Sequence, residues 1–209
     1  MHKLLNILAQ AWSVVLYPMF MPLYGMVLFC LAIQQMVSPP LVYTLVCILG
    51  TFALTLLIPI LLLLFMRKKG YIDSLQIEQA DQRTTPYIYT IICYGFWAFF
   101  VRFTMQLPVV IFWIAIGAII ALIAVTIINH WWKISAHLTG LGGLIGGVCS
   151  FALCYNLMPL SLIITMLIVA LTLMFARLYL NAHTPMQVVA GFLLGLLCTF
   201  IPNLILFHA

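Results

Sequence analysis

Trp131-Trp132-Lys133-Ile134-Ser135-Ala136-His137 sets a cation, a hydroxyl and an imidazole into an otherwise apolar chain. The run before it, 107–128, and the glycine-rich run after it, 138–153, are apolar along most of their length. A polar island between two such runs reads as a loop joining the ends of two membrane spans. Two more islands have the same setting, Arg-Thr-Thr-Pro at 83–86 and the stretch from Arg177 to Gln187.

The rest of the composition agrees. Of 209 residues, 67% are apolar and 5% charged, with a mean hydropathy of +1.27. A soluble domain carries roughly 25% charged residues. This chain has too little polar surface to cover itself with, so its solvent is lipid. In lipid, backbone groups must be paired internally, and the apolar runs do not alternate as barrel strands do. The expected fold is all-α, a polytopic integral membrane bundle of about six to seven transmembrane helices. No basic patch interleaved with aromatics appears, which argues against a nucleic-acid partner. The six cysteines lie within apolar runs without CxxC spacing and read as small buried hydrophobes.

Taken in order, residues 1–12 form an amphipathic lead-in, and the apolar run continues to Met36 without a signal-peptidase-like site. The lead-in is therefore expected to be retained. Span one, 13–36, contains Pro18 and Pro22 and is expected to be kinked or interrupted. Pro39 and Pro40 force a turn before span two, 42–66. The loop 67–86 is the hydrophilic part of the chain and holds all its acids, Asp73, Glu78 and Asp81. Residues 87–101 and 107–128 are split by Arg102 and Pro108 and read as two helices. Spans five to seven are 138–153, 159–176 and 188–207. Gly143 with Gly147 and Gly191 with Gly195 have the small-xxx-small spacing that lets helices approach closely. The whole, 1–209, reads as one membrane-embedded domain.

With that span count the three islands fall on one side of the membrane. That side carries Lys3, Arg67, Lys68, Lys69, Arg83, Lys133 and Arg177, against Arg102 opposite. The positive-inside rule places it in the cytoplasm. Charged groups at span ends face a cavity or a partner. Arg83, Lys133 and Arg177 together suit an anion, the guanidinium forks gripping phosphate oxygens and the ammonium acting as a point charge. Ser135 adds a hydroxyl, and the first turn of span five adds backbone N–H donors. His137 and His183 bring the nitrogen chemistry of proton transfer and nucleophilic attack.

These residues resemble the type 2 phosphatidic acid phosphatase superfamily, whose motifs are Lys-x6-Arg-Pro, Pro-Ser-Gly-His and Ser-Arg-x5-His-x3-Asp. Arg177, five residues and His183 match the third motif's spacing; Ile134-Ser135-Ala136-His137 is similar to the second, and Arg83 with Pro86 to a loosened first. The similarity covers about 67–200. It implies a phosphatase of lipid phosphates or pyrophosphates. His183 would be the nucleophile, forming a phosphohistidine, and His137 the acid. Arg83, Ser135 and Arg177 would hold the phosphate of a membrane lipid headgroup, with no metal or other cofactor required. Lys133 lies outside the motifs and joins the clamp on charge and position. The resemblance also implies a bacterial inner membrane with the site on its outer, periplasmic face, which opposes the charge balance.

The departures are specific. Gln76 stands at the first motif's lysine and Thr84 at its proline, Ile134 and Ala136 replace the second motif's proline and glycine, and Ala176 and Gln187 replace the third motif's serine and aspartate. Gln187 can orient the imidazole of His183 but brings no charge, unless Asp73, Glu78 or Asp81 reaches that ring from the same side. The alternative function is thus a catalytically inactive protein that binds lipid phosphate or serves transport or assembly. A metal site at His130, His137 and His183 is a chemical rival without diagnostic spacing. His130 and His208, the tryptophan pair and Arg67-Lys68-Lys69 read more simply as interfacial residues.

Overall fold

The computed structural model describes residues 2–73, 82, 84–157 and 160–207. These form α1 (His2–Val15), a 3-10 turn (Pro18–Phe20), α2 (Met21–Val37), α3 (Leu41–Phe52), α4 (Ile58–Lys68), α5 (Thr84–Phe99), α6 (Val109–Ile128), α7 (Ala136–Cys154), α8 (Leu160–Tyr179) and α9 (Pro185–Phe207). Seven described segments are long and apolar enough to cross a membrane, and no strand occurs among the described residues. The chain is an all-α polytopic membrane bundle. Its outward side chains, Leu61, Phe96, Ile120 and Leu171 among them, are exposed hydrophobics, as a lipid solvent requires.

Proline writes the irregularities. Pro18 has no N–H and holds Tyr17 extended, at φ −65° and ψ 139°, so α1 stops at Val15 and the first span is interrupted rather than bent. Residues 41–68 run on as one span, with a π-helical turn at Ala53–Leu57 just before Pro59. There the widened turn absorbs the bond that Pro59 cannot donate. A second π-helical turn, Phe100–Thr104, extends α5 past the boundary expected at 101, giving a span of 21 residues, Thr84–Thr104. The region 87–128 is thus two helices, which keeps the three islands on one end.

The centre of the bundle is α7, whose Leu138, Leu141 and Ile145 are buried against α2, α6, α8 and α9. Its tightest neighbour is α9. A Cβ at Gly142 would run into the carbonyl of Phe192, one at Gly146 into that of Leu196, and one at Gly195 into that of Thr139. The close pair on α7 is therefore Gly142 with Gly146, one residue away from the expected Gly143 and Gly147. Gly143 sits at ordinary contact distance from Thr199, and Gly147 faces Ile114 of α6. On α9 the expected Gly191 and Gly195 are both at the contact, Gly191 lying over the Ser135 carbonyl. This backbone-on-backbone packing draws the starts of α7 and α9 together, and the two polar islands with them.

Candidate active site

At the end of α8 the chain turns sharply. Asn181 takes a left-handed conformation (φ 50°), and the Ala182 N–H closes back on the Arg177 carbonyl at 3.1 Å. Arg177 consequently lies in the last helical turn, not beyond it, because α8 runs to Tyr179 where the sequence reading stopped at 176. The turn delivers His183 directly before α9.

The first turn of α9 fixes that histidine. Thr184 precedes the helix, Pro185 opens it, and the Gln187 side chain reaches back so that its Oε1 accepts the Thr184 N–H at 3.0 Å. This is half of a capping box, on a Thr-x-x-Gln pattern legible in the sequence. The same oxygen lies 3.3 Å from His183 Nδ1, and the Lys133 carbonyl lies 3.2 Å from it. Because a backbone N–H identifies the amide atom as oxygen, both partners of Nδ1 are acceptors, and Nδ1 must carry the proton. The other nitrogen, Nε2, then holds the lone pair. A further bond, Ser135 N–H to the Gln187 carbonyl at 3.3 Å, ties the two islands at the backbone.

His183 is partly buried and its pKa is lowered from 6.5 to about 4. Burial is the largest cause, followed by the Arg177 charge; bonds to Gln187 and the Lys133 carbonyl oppose them, and the Lys133 charge adds to the lowering. Both cations therefore act on this ring, and both favour its neutral form. The neutral ring has a consequence for pH. The folded pKa lies below the unfolded one, so the stability this group protects is complete above about pH 6.5 and is lost as pH falls toward 4. In the ligand-free protein the His183 ring should stay neutral at pH 5.5 by NMR titration; a midpoint near 6.5 would contradict the burial and charge seen here.

His137 stands on the second residue of α7. Its Nε2 lies 3.1 Å from the Ser13 carbonyl at the end of α1, and the Tyr17 ring meets it edge-on at 5.4 Å. His137, Arg177, His183 and Tyr17 line one cavity of about 170 Å³, with Tyr87 and Thr90 of α5. The cavity continues between α2, α5, α6 and α7 to Phe29, Trp97, Ile114 and Gly147. From Ala136 to Gly147 the helical rise is about 16 Å, roughly half of a ~30 Å hydrocarbon core. Polar groups ring its mouth, and apolar ones line its depth.

Ser135 is wholly buried at the start of α7, next to the cavity-lining Ala136 though not itself in the lining, and its Oγ has no hydrogen-bond partner among the described residues. Lys133 is half-buried beside His183, to which it gives its carbonyl. Arg83, Gln76, Glu78, Asp81 and His208 lie outside the described residues. Asp73 exchanges bonds with Gln82, at 2.8 and 3.0 Å. His130 is exposed, just past the end of α6, its ring bonded at 3.0 Å to the Thr126 carbonyl of that helix. Among the described residues no group of three His, Cys, Asp or Glu side chains is placed to hold a metal. The structure thus brings together Lys133, His137, Arg177, His183 and Gln187, with Ser135 at the same helix start.

A family model described as the PAP2 superfamily matches residues 148–207. That stretch holds Arg177, His183 and Gln187 but begins after Ser135 and His137, and it covers less than a third of the chain. No curated protein and no solved structure matches the chain. Fold and match together support a membrane protein of the PAP2-superfamily kind.

Proposed function

We propose that this protein is a phosphatase of lipid phosphates or pyrophosphates, working through a phosphohistidine at His183. The observation that carries the reading is the tautomer of His183. Two oxygens hold Nδ1–H, which leaves the lone pair on Nε2 of a neutral ring that lines the cavity beside Arg177. A nucleophile needs that state at neutral pH. The phosphate would lie beside Arg177 and Lys133, with the first turn of α7 directing its N–H groups at it and Arg83 expected, from the motif resemblance, as a further cation. The apolar cavity below the mouth suits the chain of a lipid from the adjoining leaflet. Catalysis of this kind is mostly positioning and charge stabilisation, and the chain supplies both.

The test is phosphate release by the purified protein from a panel of lipid phosphates and pyrophosphates. Release from at least one supports the reading. Silence across the panel, with lipid phosphate still bound, would favour a non-catalytic binder, transport or assembly component. One observation favours that second reading: the group orienting His183 is an uncharged amide that also caps α9.

Ser135 offers a finer test. A buried hydroxyl without a partner costs about 1–3 kcal/mol, and a bond from it to a charged oxygen returns a similar amount. Ser135→Ala should leave thermal stability unchanged or higher while raising KM about tenfold or more. A lower melting temperature with unchanged KM would remove Ser135 from the phosphate site. On the charge balance of its loops, we place the site end in the cytoplasm. A cysteine introduced at Asn181 should then be labelled only from that face, and labelling from the other would reverse the orientation.

A further inference from the structure

The end of α1 is built into the site, although no motif includes it. In a continuing helix the Ser13 carbonyl would accept the N–H of Tyr17. Here the Tyr17 N–H turns to Val14 at 3.2 Å, the Leu16 N–H bonds Trp12 at 3.0 Å, and Pro18 has no N–H to give. The Ser13 carbonyl is thereby released from the helix, and it lies 3.1 Å from His137 Nε2. The Ser13 hydroxyl is engaged within α1, at 2.9 Å from the Ala9 carbonyl, so the link to the histidine is made by backbone alone. The neighbouring Val15 carbonyl accepts the Tyr24 hydroxyl at 2.9 Å, and the Trp12 indole N–H donates to Thr172 Oγ1 at 3.1 Å. These contacts hold α1 to α2 and to α8, five residues before Arg177.

We propose that α1 is a positioning element of the reaction centre, its Ser13 carbonyl fixing the tautomer of His137. A carbonyl accepts only from N–H, so Nε2 keeps its proton and Nδ1 becomes the nitrogen that gains and loses one. The two histidines are then complementary: His183 is held at Nδ1 and reacts at Nε2, while His137 is held at Nε2 and exchanges protons at Nδ1. This rests on the phosphatase reading. In the first step, with His137 entering as the imidazolium, the Nε2 lone pair of His183 forms the P–N bond, the P–O bond to the lipid breaks, and the leaving oxygen takes the Nδ1 proton, which leaves His137 in the Nε2–H form. In the second, water attacks phosphorus, Nδ1 of His137 takes a proton from that water, and the P–N electron pair returns to His183.

Two variants of the full chain test it. Pro18→Ala restores the N–H that lets α1 continue, so that Tyr17 competes for the Ser13 carbonyl. Trp12→Ala loosens α1 from α8. Proton donation matters for a poor alkoxide leaving group and little for nitrophenolate, so each variant is assayed on a diacylglycerol phosphate and on para-nitrophenyl phosphate. Misplacing an acid by about an ångström can cost about a hundredfold. The expected loss is about ten- to a hundredfold in kcat for the diacylglycerol phosphate and less than about threefold for the aryl ester, the pattern of His137→Ala in milder form. Equal losses on both substrates, or none, would overturn the proposal, since a fold defect does not distinguish leaving groups. Failure of wild type to hydrolyse either of these two substrates leaves the phosphatase reading to the wider panel of lipid phosphates and pyrophosphates, and ring ¹⁵N shifts of His137 then decide this proposal separately. An Nε2–H tautomer that weakens in Pro18→Ala supports it; Nδ1–H in wild type, or no change in the variant, overturns it.

Discussion

His183→Ala is expected to abolish phosphate release while leaving the bundle folded. The side chain lies in a loop and contributes to no core cluster, so its removal costs little packing. What it takes away is the Nε2 lone pair that the turn between α8 and α9 brings to the cavity mouth in a fixed direction. Loss of a covalent nucleophile in an assembled site costs about 10⁶-fold, as in the subtilisin triad. Release within tenfold of wild type, from protein of unchanged melting temperature, would mean that another group attacks phosphorus. His183→Gln makes a stricter control, because it keeps a polar group of similar reach without a nucleophilic nitrogen. It should be as inactive as alanine.

The second large effect is expected at Gln187. Its Oε1 holds both the Thr184 N–H and the His183 Nδ1–H, so Gln187→Leu removes an α9 cap contact and half of the imidazole's support. Loss of the orienting group in a serine-protease triad costs about 10⁴-fold, which sets an upper limit here because the Lys133 carbonyl remains. A fall of about 10²- to 10³-fold in kcat is expected, with about 1 kcal/mol lost from stability through the cap. Gln187→Glu separates the two roles. Glutamate is as good at this capping position, and it places a negative charge against Nδ1–H, where a phosphohistidine carries its positive charge. The glutamate variant should therefore match or exceed wild type in rate and raise the pKa of His183. A leucine variant that melts earlier but turns over normally would reduce Gln187 to a helix cap.

The chain announced most of this architecture. Runs of apolar residues and the prolines at 18, 39 and 108 marked the spans, and polar islands in so apolar a chain had to lie at helix ends. The convergence of Lys133, His137, Arg177 and His183 followed from counting spans, and the structure brings them to one end. Three features were less legible. Five glycines crowd α7, and spacing alone cannot tell which pair faces α9; the answer, Gly142 with Gly146, depends on the helix's rotation. The Thr184–Gln187 cap is written in the sequence as Thr-x-x-Gln, but the same glutamine stands where the motif has its aspartate, and that comparison hides its capping role. The Ser13 carbonyl carried no side-chain signal at all. Its availability comes from Pro18 ending α1, and its partner lies 124 positions away in sequence. Backbone acceptors of this kind orient both histidines, and residue identity does not encode them.

The most direct measurement is to catch the phosphoryl group on the enzyme. Purified protein would be mixed with a lipid phosphate that it turns over, quenched in alkali within the first turnovers because phosphohistidine is acid-labile, digested, and read by mass spectrometry. The expected result is a phosphoryl group on His183, present in wild type and absent in His183→Ala. Turnover with the phosphoryl group on another residue, or with none trapped while Gln187→Glu and wild type both release phosphate, would contradict attack by His183.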